Sequence, residues 1–169
     1  LVKSPKYEET SFAILLTKAF AKEFTPDIFI EIGKWFETGI TNWAHADVIS
    51  GELLFIFLKK KLVTMQAFEN WRTANNKFQR RAVPVTLIKL LKTTEDFTPL
   101  FAFIEPMKMD PEREVQQGLG WFLREAWKLQ PQVAETFLIK WKDSAPRLIF
   151  QYATEKMTAE QKKRFKKGS

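Results

Sequence analysis

Cysteine is absent from the 169-residue chain, which excludes disulfide scaffolds, thiol catalysis and zinc–thiolate sites. Histidine occurs once, as His45. A multi-histidine metal centre is thereby excluded, and a histidine-based triad is disfavoured. The six glycines form neither GxGxxG nor GxxxxGK, so nucleotide-phosphate loops have no support. No apolar run reaches the roughly 18 residues that a membrane span needs. The opening residues Leu1-Val2-Lys3-Ser4-Pro5 do not make a signal peptide. With no initiating Met, the sequence is expected to lack some N-terminal residues of a longer protein.

What is present is apolar, aromatic and basic. Apolar residues make up 45% and aromatics 14% of the chain, which places it among folded rather than disordered sequences. Its 27 Lys and Arg outweigh 20 Asp and Glu, for a formal charge of +7. That balance points to a polyanionic partner, nucleic acid before membrane surface. The length suits one domain over residues 1–169, or a short array of repeats.

Helical periodicity runs nearly throughout. Phe12, Leu15, Leu16, Ala19, Phe20 and Phe24 follow the spacing of an amphipathic helix. Thr25-Pro26-Asp27 reads as a cap, a first-turn proline and an early acid, so the next helix is predicted over Pro26 to Thr38, stopping at Gly39. Further starts are predicted at Asn42, near Thr64, at Asn75–Asn76, Asp96, Asp110-Pro111, Pro131, Ser144-Ala145-Pro146 and Thr158. Short loops between them leave no room for a sheet, and the class is all-α. The first helix of each pair recurs about every 34 residues, near positions 8, 43, 77, 111 and 145. This rhythm predicts an α-solenoid, a superhelix of HEAT-like helix pairs with a concave basic face, with a helical bundle as the alternative. Pro84 inside the predicted Phe78–Lys92 helix suits a kinked first helix.

The positive charge is uneven. Arg72, Lys77, Arg80, Arg81, Lys89 and Lys92 lie in a stretch with no Asp or Glu, a candidate basic track for phosphates. Lys59-Lys60-Lys61 and the C-terminal Lys156, Lys162, Lys163, Arg164, Lys166 and Lys167 form two more clusters, each readable as a solvated helix end.

Three segments carry candidate chemistry. In Asn42-Trp43-Ala44-His45-Ala46-Asp47, Trp43 and Asp47 stand four apart and share a helix face. Lys77-Phe78-Gln79-Arg80-Arg81-Ala82 places two arginines early in the next unit's first helix, and Glu114 to Glu125 carries Trp121 in the unit after that. Stacked first helices would gather Trp43, Asp47, an arginine and Trp121 on one surface: a carboxylate between aromatics on a basic wall.

These segments resemble the AlkD-type DNA alkylation repair family, a family of HEAT-like-repeat DNA glycosylases. The matching pieces are W-x-x-x-D at Trp43 and Asp47, N-x-x-x-R-R-A at Asn76, Arg80, Arg81 and Ala82, and VQxxxGWxLRE from Val115 to Glu125. The resemblance covers roughly Asn42 to Phe137, and Gln151-Tyr152-Ala153-Thr154-Glu155-Lys156-Met157 departs from it.

The resemblance implies excision of cationic N3- or N7-alkylated purines from duplex DNA, without flipping the lesion into a pocket. It assigns Asp47 as the catalytic carboxylate, and Trp43 and Trp121 as aromatics cradling the lesioned nucleotide's backbone. Arg81, or Arg80 one residue earlier, becomes a phosphate-contacting arginine. Lys77, Arg72 and Arg124 are further candidates for phosphate contact. No metal or organic cofactor is implied. The expected protein is a monomer working on alkylated duplex DNA in the bacterial cytoplasm, at the nucleoid, away from membranes.

Blander readings stand beside these. Trp43 alone would more often be core, and Asp47 alone a surface acid. Arg124 with Glu125 reads as an inter-helix ion pair, and Trp35, Trp71, Trp127 and Trp141 as packing residues. His45 reads as a surface or partly buried histidine without a catalytic role. Gly118 and Gly120 inside a helix, each costing about 1 kcal/mol relative to Ala, imply close packing or approach by a partner. A non-catalytic DNA-binding relative and a HEAT-type protein-interaction scaffold are the alternative functions.

Overall fold

Local capping chemistry starts several helices where the sequence places them. Asn42 accepts a hydrogen bond from the His45 backbone N–H at 2.9 Å, and Thr158 forms a reciprocal capping box with Gln161. Pro26 opens a helix that runs to Thr38 and gives way at Gly39, as predicted. Residues 1–4, 6–166 and 168 are described by the structure, a computed structural model. Pro5, Ser169 and Lys167 of the C-terminal basic cluster lie outside the described residues. Among the described residues the regular structure is all helical, with no strand. The chain divides into two compact units, Leu1–Thr86 and Leu87–Ser169.

The first unit holds α1 (Tyr7–Ala19), α2 (Pro26–Thr38), α3 (Trp43–Ile49), α4 (Phe55–Lys59) and most of α5 (Lys77–Leu87). A π-helical segment, Ser50–Leu54, joins α3 to α4. The helix predicted from near Thr64 is instead two short 3₁₀ segments, Met65–Phe68 and Asn70–Thr73. Their aromatic side chains nonetheless build the core. Phe29 stacks on Trp71 at 5.2 Å and meets Phe68 edge-on, while Phe24 stacks on Phe57 at 4.7 Å.

Helix α1 departs from the expected orientation. Phe12, Leu15, Leu16, Ala19 and Phe20 face outward, and the buried positions are Thr10, Ala13 and Ile14. Two contacts accompany this orientation: Tyr7 stacks on His45 at 4.2 Å, and Lys18 pairs with Glu52 at 2.5 Å. Phe24, the last residue of the expected stripe, is buried.

Helix α5 is also shorter than predicted. It ends at Leu87, and a separate 3₁₀ segment follows at Leu90–Lys92. Pro84, buried within α5, has no N–H for the carbonyl one turn back, which weakens the ladder where the helix is about to stop.

The second unit contains α6 (Thr98–Ile104), α7 (Arg113–Leu129), α8 (Pro131–Trp141), α9 (Arg147–Ala153) and α10 (Ala159–Lys163). Helix α7, of 17 residues, lays Val115, Leu119, Phe122, Leu123 and Ala126 into the core against α8 and α9. Phe101 stacks on Phe137 at 4.4 Å, and Trp141 is fully buried beside Phe137. Gly120 is required for the α7–α9 approach: a Cβ there would lie 2.5 Å from Tyr152 Cβ and 2.7 Å from the Ile149 carbonyl oxygen.

Candidate functional site

The first unit brings Trp43, Asp47 and Arg81 together. Asp47 lies one turn beyond Trp43 on α3, and Arg81 reaches it from the second turn of α5. Arg81 Nε donates to Asp47 Oδ1 at 2.7 Å, and Nη2 donates to Oδ2 at 2.8 Å. This two-pronged geometry is the strong form of an arginine–carboxylate bond. It lies largely out of water, since the Arg81 side chain is 7% exposed and that of Asp47 15%. The guanidinium also sits 6.0 Å from the Trp43 ring centroid. Trp43 itself is 58% exposed, which sets aside its reading as a core residue. An exposed indole thus stands over a shielded ion pair.

The backbone around this pair is tied down on both sides. Ser50, fully buried at the start of the π-helical segment, donates from Oγ to the Ala46 carbonyl at 2.7 Å and lies 3.4 Å from the Ala82 carbonyl. Ala46 and Ala82 are the chain neighbours of Asp47 and Arg81. Asn76 fixes the start of α5: its side-chain oxygen accepts from Phe78 N at 2.7 Å, and its amide donates to the Phe36 and Ile40 carbonyls. This assigns the asparagine of N-x-x-x-R-R-A to positioning the helix.

The two arginines of that motif have different surroundings. Arg81 is committed to Asp47, whereas Arg80 Nη1 donates to the Ala74 carbonyl at 2.6 Å and the Asn75 carbonyl at 3.1 Å. Arg72 pairs with Glu69 at 2.7 Å, so the acid-free stretch has an acid just outside its first residue. Lys77, half-buried, places its ammonium 5.4 Å from the Phe78 ring centroid.

His45 was not legible as a network residue, and it is one. It is 3% exposed. Its Nδ1 lies 2.8 Å from the Asn42 amide nitrogen and its Nε2 lies 3.0 Å from Ser11 Oγ. The amide can only donate, so Nδ1 accepts and the proton resides on Nε2. Burial pushes the His45 pKa below its ordinary value, against an opposing hydrogen bond to the Tyr7 backbone. The spacing Asn42-x-x-His45 is a sequence signal for the cap. A cavity of about 340 Å³ opens beside it, with Lys3, Tyr7, Thr10, Asn42 and His45 among its lining residues.

Trp121 and Arg124 belong to the second unit. Trp121 is half-buried on α7, one turn from Gln117 and from Arg124. Arg124 Nε donates to Glu125 at 3.2 Å, and Nη1 donates to Glu155. Burial works to raise the Glu125 carboxyl, but the hydrogen bond and charge of Lys128, then those of Arg124, hold it below its ordinary value. A hydrogen bond from Lys156 and the charge of Arg124 do the same for Glu155. Trp127 donates its indole N–H to Glu135 at 3.0 Å, consistent with a packing role. Gln117 donates to the Tyr152 hydroxyl at 2.9 Å, a link for which neither residue carries a local sequence signal.

A regularity joins these contacts. Ser11 meets His45 and Asp47 meets Arg81, each 34 residues apart, and Gln117 meets Tyr152 at 35. The separation is the repeat interval, so within each unit corresponding positions on successive first helices touch.

Among the described residues, no group of three or more His, Cys, Asp and Glu side chains is placed to hold a metal ion. Nor is any helix long and apolar enough to cross a membrane.

The profile of the family described as "DNA alkylation repair enzyme" matches residues 1–157. The match extends beyond the Asn42–Phe137 segment on both sides. No curated protein matches the chain.

Proposed function

The chain belongs to the DNA alkylation repair enzyme family, and from that premise we propose that it is a DNA glycosylase. It hydrolyses the N-glycosidic bond of N3- or N7-alkylated purines in duplex DNA, without flipping the lesion into a pocket. The observation that supports this most is the Trp43–Asp47–Arg81 cluster, an exposed aromatic beside a carboxylate whose two oxygens are fixed.

The chemistry requires little more. An N3- or N7-alkylated purine is already cationic. When its glycosidic bond breaks, the bonding pair goes to the purine nitrogen, and a neutral base leaves without protonation. The sugar is left as an oxocarbenium ion. A fixed carboxylate aimed at that cation stabilises it more than it stabilises the neutral sugar of the ground state. Asp47 takes that role and directs the water that adds at the anomeric carbon, whose released proton passes to solvent. Trp43 offers its ring to the electron-poor sugar, and Trp121, on the second unit, is a candidate aromatic contact to the DNA backbone. Arg80, Lys77 and Arg72 are the candidates for meeting phosphates, whereas Arg81 serves by holding Asp47 and Arg124 is engaged by Glu125 and Glu155. The helix pairs are read as HEAT-like repeats presenting a basic face to duplex DNA, and the protein as a monomer needing no metal or organic cofactor.

Incubation with methylated duplex DNA, followed by chromatography of released bases, tests the reading. Release of methylated purines by the wild type, and its loss in Asp47→Asn, is the expected result. Equal release by both proteins would remove Asp47 from catalysis.

One observation favours a second reading, a non-catalytic DNA-binding relative. Arg81 occupies both oxygens of Asp47 and reduces the negative field that a sugar cation would experience. Salt-sensitive duplex binding without base release would select this reading.

A further inference from the structure

We propose that the Tyr152 hydroxyl is a DNA-backbone contact of the second unit, donating a hydrogen bond to a phosphate oxygen while Gln117 holds it in place. The inference rests on the duplex-DNA reading above.

The hydrogen bond between Gln117 and Tyr152 has a direction. The Gln117 amide nitrogen can only donate, so the phenol oxygen accepts at 2.9 Å. Tyr152 therefore keeps its own O–H hydrogen, and among the described residues no acceptor is placed for it. Accepting one bond polarises the hydroxyl and makes it a better donor. Its complement is an acceptor from outside the chain.

The hydroxyl is also held in place. The Tyr152 side chain lies against the bare backbone of Gly120, where an added Cβ would come within 2.5 Å of Tyr152 Cβ. With its Cβ seated there and its hydroxyl bonded to Gln117, the side chain loses little freedom when it binds a partner. Gln117 is one turn from Trp121 on α7, so the hydroxyl is tethered to the helix face that carries the candidate DNA-facing indole.

The neighbouring charges favour a neutral donor here. Arg124 is engaged by Glu125 and Glu155, and Lys128 pairs with Glu125 at 2.7 Å. Tyrosine hydroxyls are among the neutral groups that contact phosphate oxygens and set the register of a protein on a duplex. A contact of that kind differs from a lysine contact in one measurable way: it displaces no condensed counterion.

Binding of a fluorescein-labelled duplex, followed by anisotropy over a series of salt concentrations, tests this with wild type and Tyr152→Phe. The variant keeps the Cβ against Gly120 and removes only the hydroxyl. Binding is expected to weaken about tenfold at every salt concentration, with the slope of log Kd against log salt unchanged. Gln117→Leu leaves the hydroxyl but frees it, and a smaller weakening with the same slope is expected. Wild-type binding that is salt-sensitive and matched within about twofold by Tyr152→Phe would overturn the contact and leave the DNA reading standing. A slope altered by about one would overturn it too, because a neutral group cannot produce that change. If Tyr152→Phe does not fold, Gln117→Leu decides, and parity with wild type overturns the contact. Absence of duplex binding by the wild type would instead remove the DNA reading, and this contact with it.

Discussion

Arg81 holds both carboxylate oxygens of Asp47 from 34 residues away, with its own side chain 93% out of solvent contact. A buried guanidinium left without its carboxylate is costly, commonly about 3–5 kcal/mol. Asp47→Asn is therefore expected to fold but to lose about 3 kcal/mol, since the amide offers one neutral acceptor to two donors. Urea unfolding measures this. Base release by the same variant is expected to fall about 100-fold or more, the scale seen when a fixed electrostatic group is removed. Arg81→Lys should recover little of the stability, because an ammonium cannot reproduce the fork.

Trp43 offers the opposite balance. At 58% exposure, its truncation leaves no cavity. Trp43→Ala is expected to change stability by about 0.5 kcal/mol or less, against about 3–5 kcal/mol for a buried tryptophan. Its effect should appear in base release and in affinity for alkylated duplex. A large loss of melting temperature would return Trp43 to the core.

Gly120 sets two magnitudes against each other. Alanine is favoured over glycine inside a helix by about 1 kcal/mol, yet its Cβ would meet the Ile149 carbonyl oxygen at 2.7 Å. Backbone cannot step aside as a flexible side chain can, and overpacking of this kind costs about 1–3 kcal/mol or more. Gly120→Ala is expected to be net destabilising. Gly33→Ala is the internal comparison, because the atoms nearest its Cβ belong to the Trp71 ring, the first at 3.1 Å. Thermal melts of both variants should rank Gly120→Ala as the less stable.

What the sequence revealed follows the range of the physics involved. The α2 boundaries were legible because Thr25-Pro26-Asp27 and Gly39 act within one turn. The rotation of α1 was not, because its apolar residues outnumber one face, and the face that is buried, with Thr10, Ala13 and Ile14, depends on contacts distant in sequence such as Tyr7–His45. Trp43 and Asp47 were readable as a pair on one helix face. Their engagement by Arg81 was readable only in part: the interval from 47 to 81 is the repeat interval, but the choice between Arg80 and Arg81 depends on α5 rotation. That rotation is set by Asn76 gripping the Phe36 and Ile40 carbonyls. Tyr152 stood in a segment that departed from the family pattern, and its partner Gln117 could be located only through the same interval.

The buried histidine gives a pH dependence whose sign can be worked out. Burial holds the His45 pKa below its ordinary 6.5. The unfolded chain, with an ordinary histidine, takes up a proton first as the pH falls. His45 therefore contributes its full stability above about pH 6.5, and that stability is lost as the pH drops from there through the lower folded value. Protonation would also put a hydrogen on Nδ1, where Asn42 donates at 2.8 Å, and so loosen the cap of the helix that carries Trp43 and Asp47. Acid should then weaken duplex binding together with stability. The measurement is urea unfolding from pH 7.5 to 5.5 for wild type and His45→Gln, which cannot titrate. Wild-type stability is expected to fall more steeply with acid than that of the variant. Parallel pH profiles would show that carboxylates elsewhere carry the dependence.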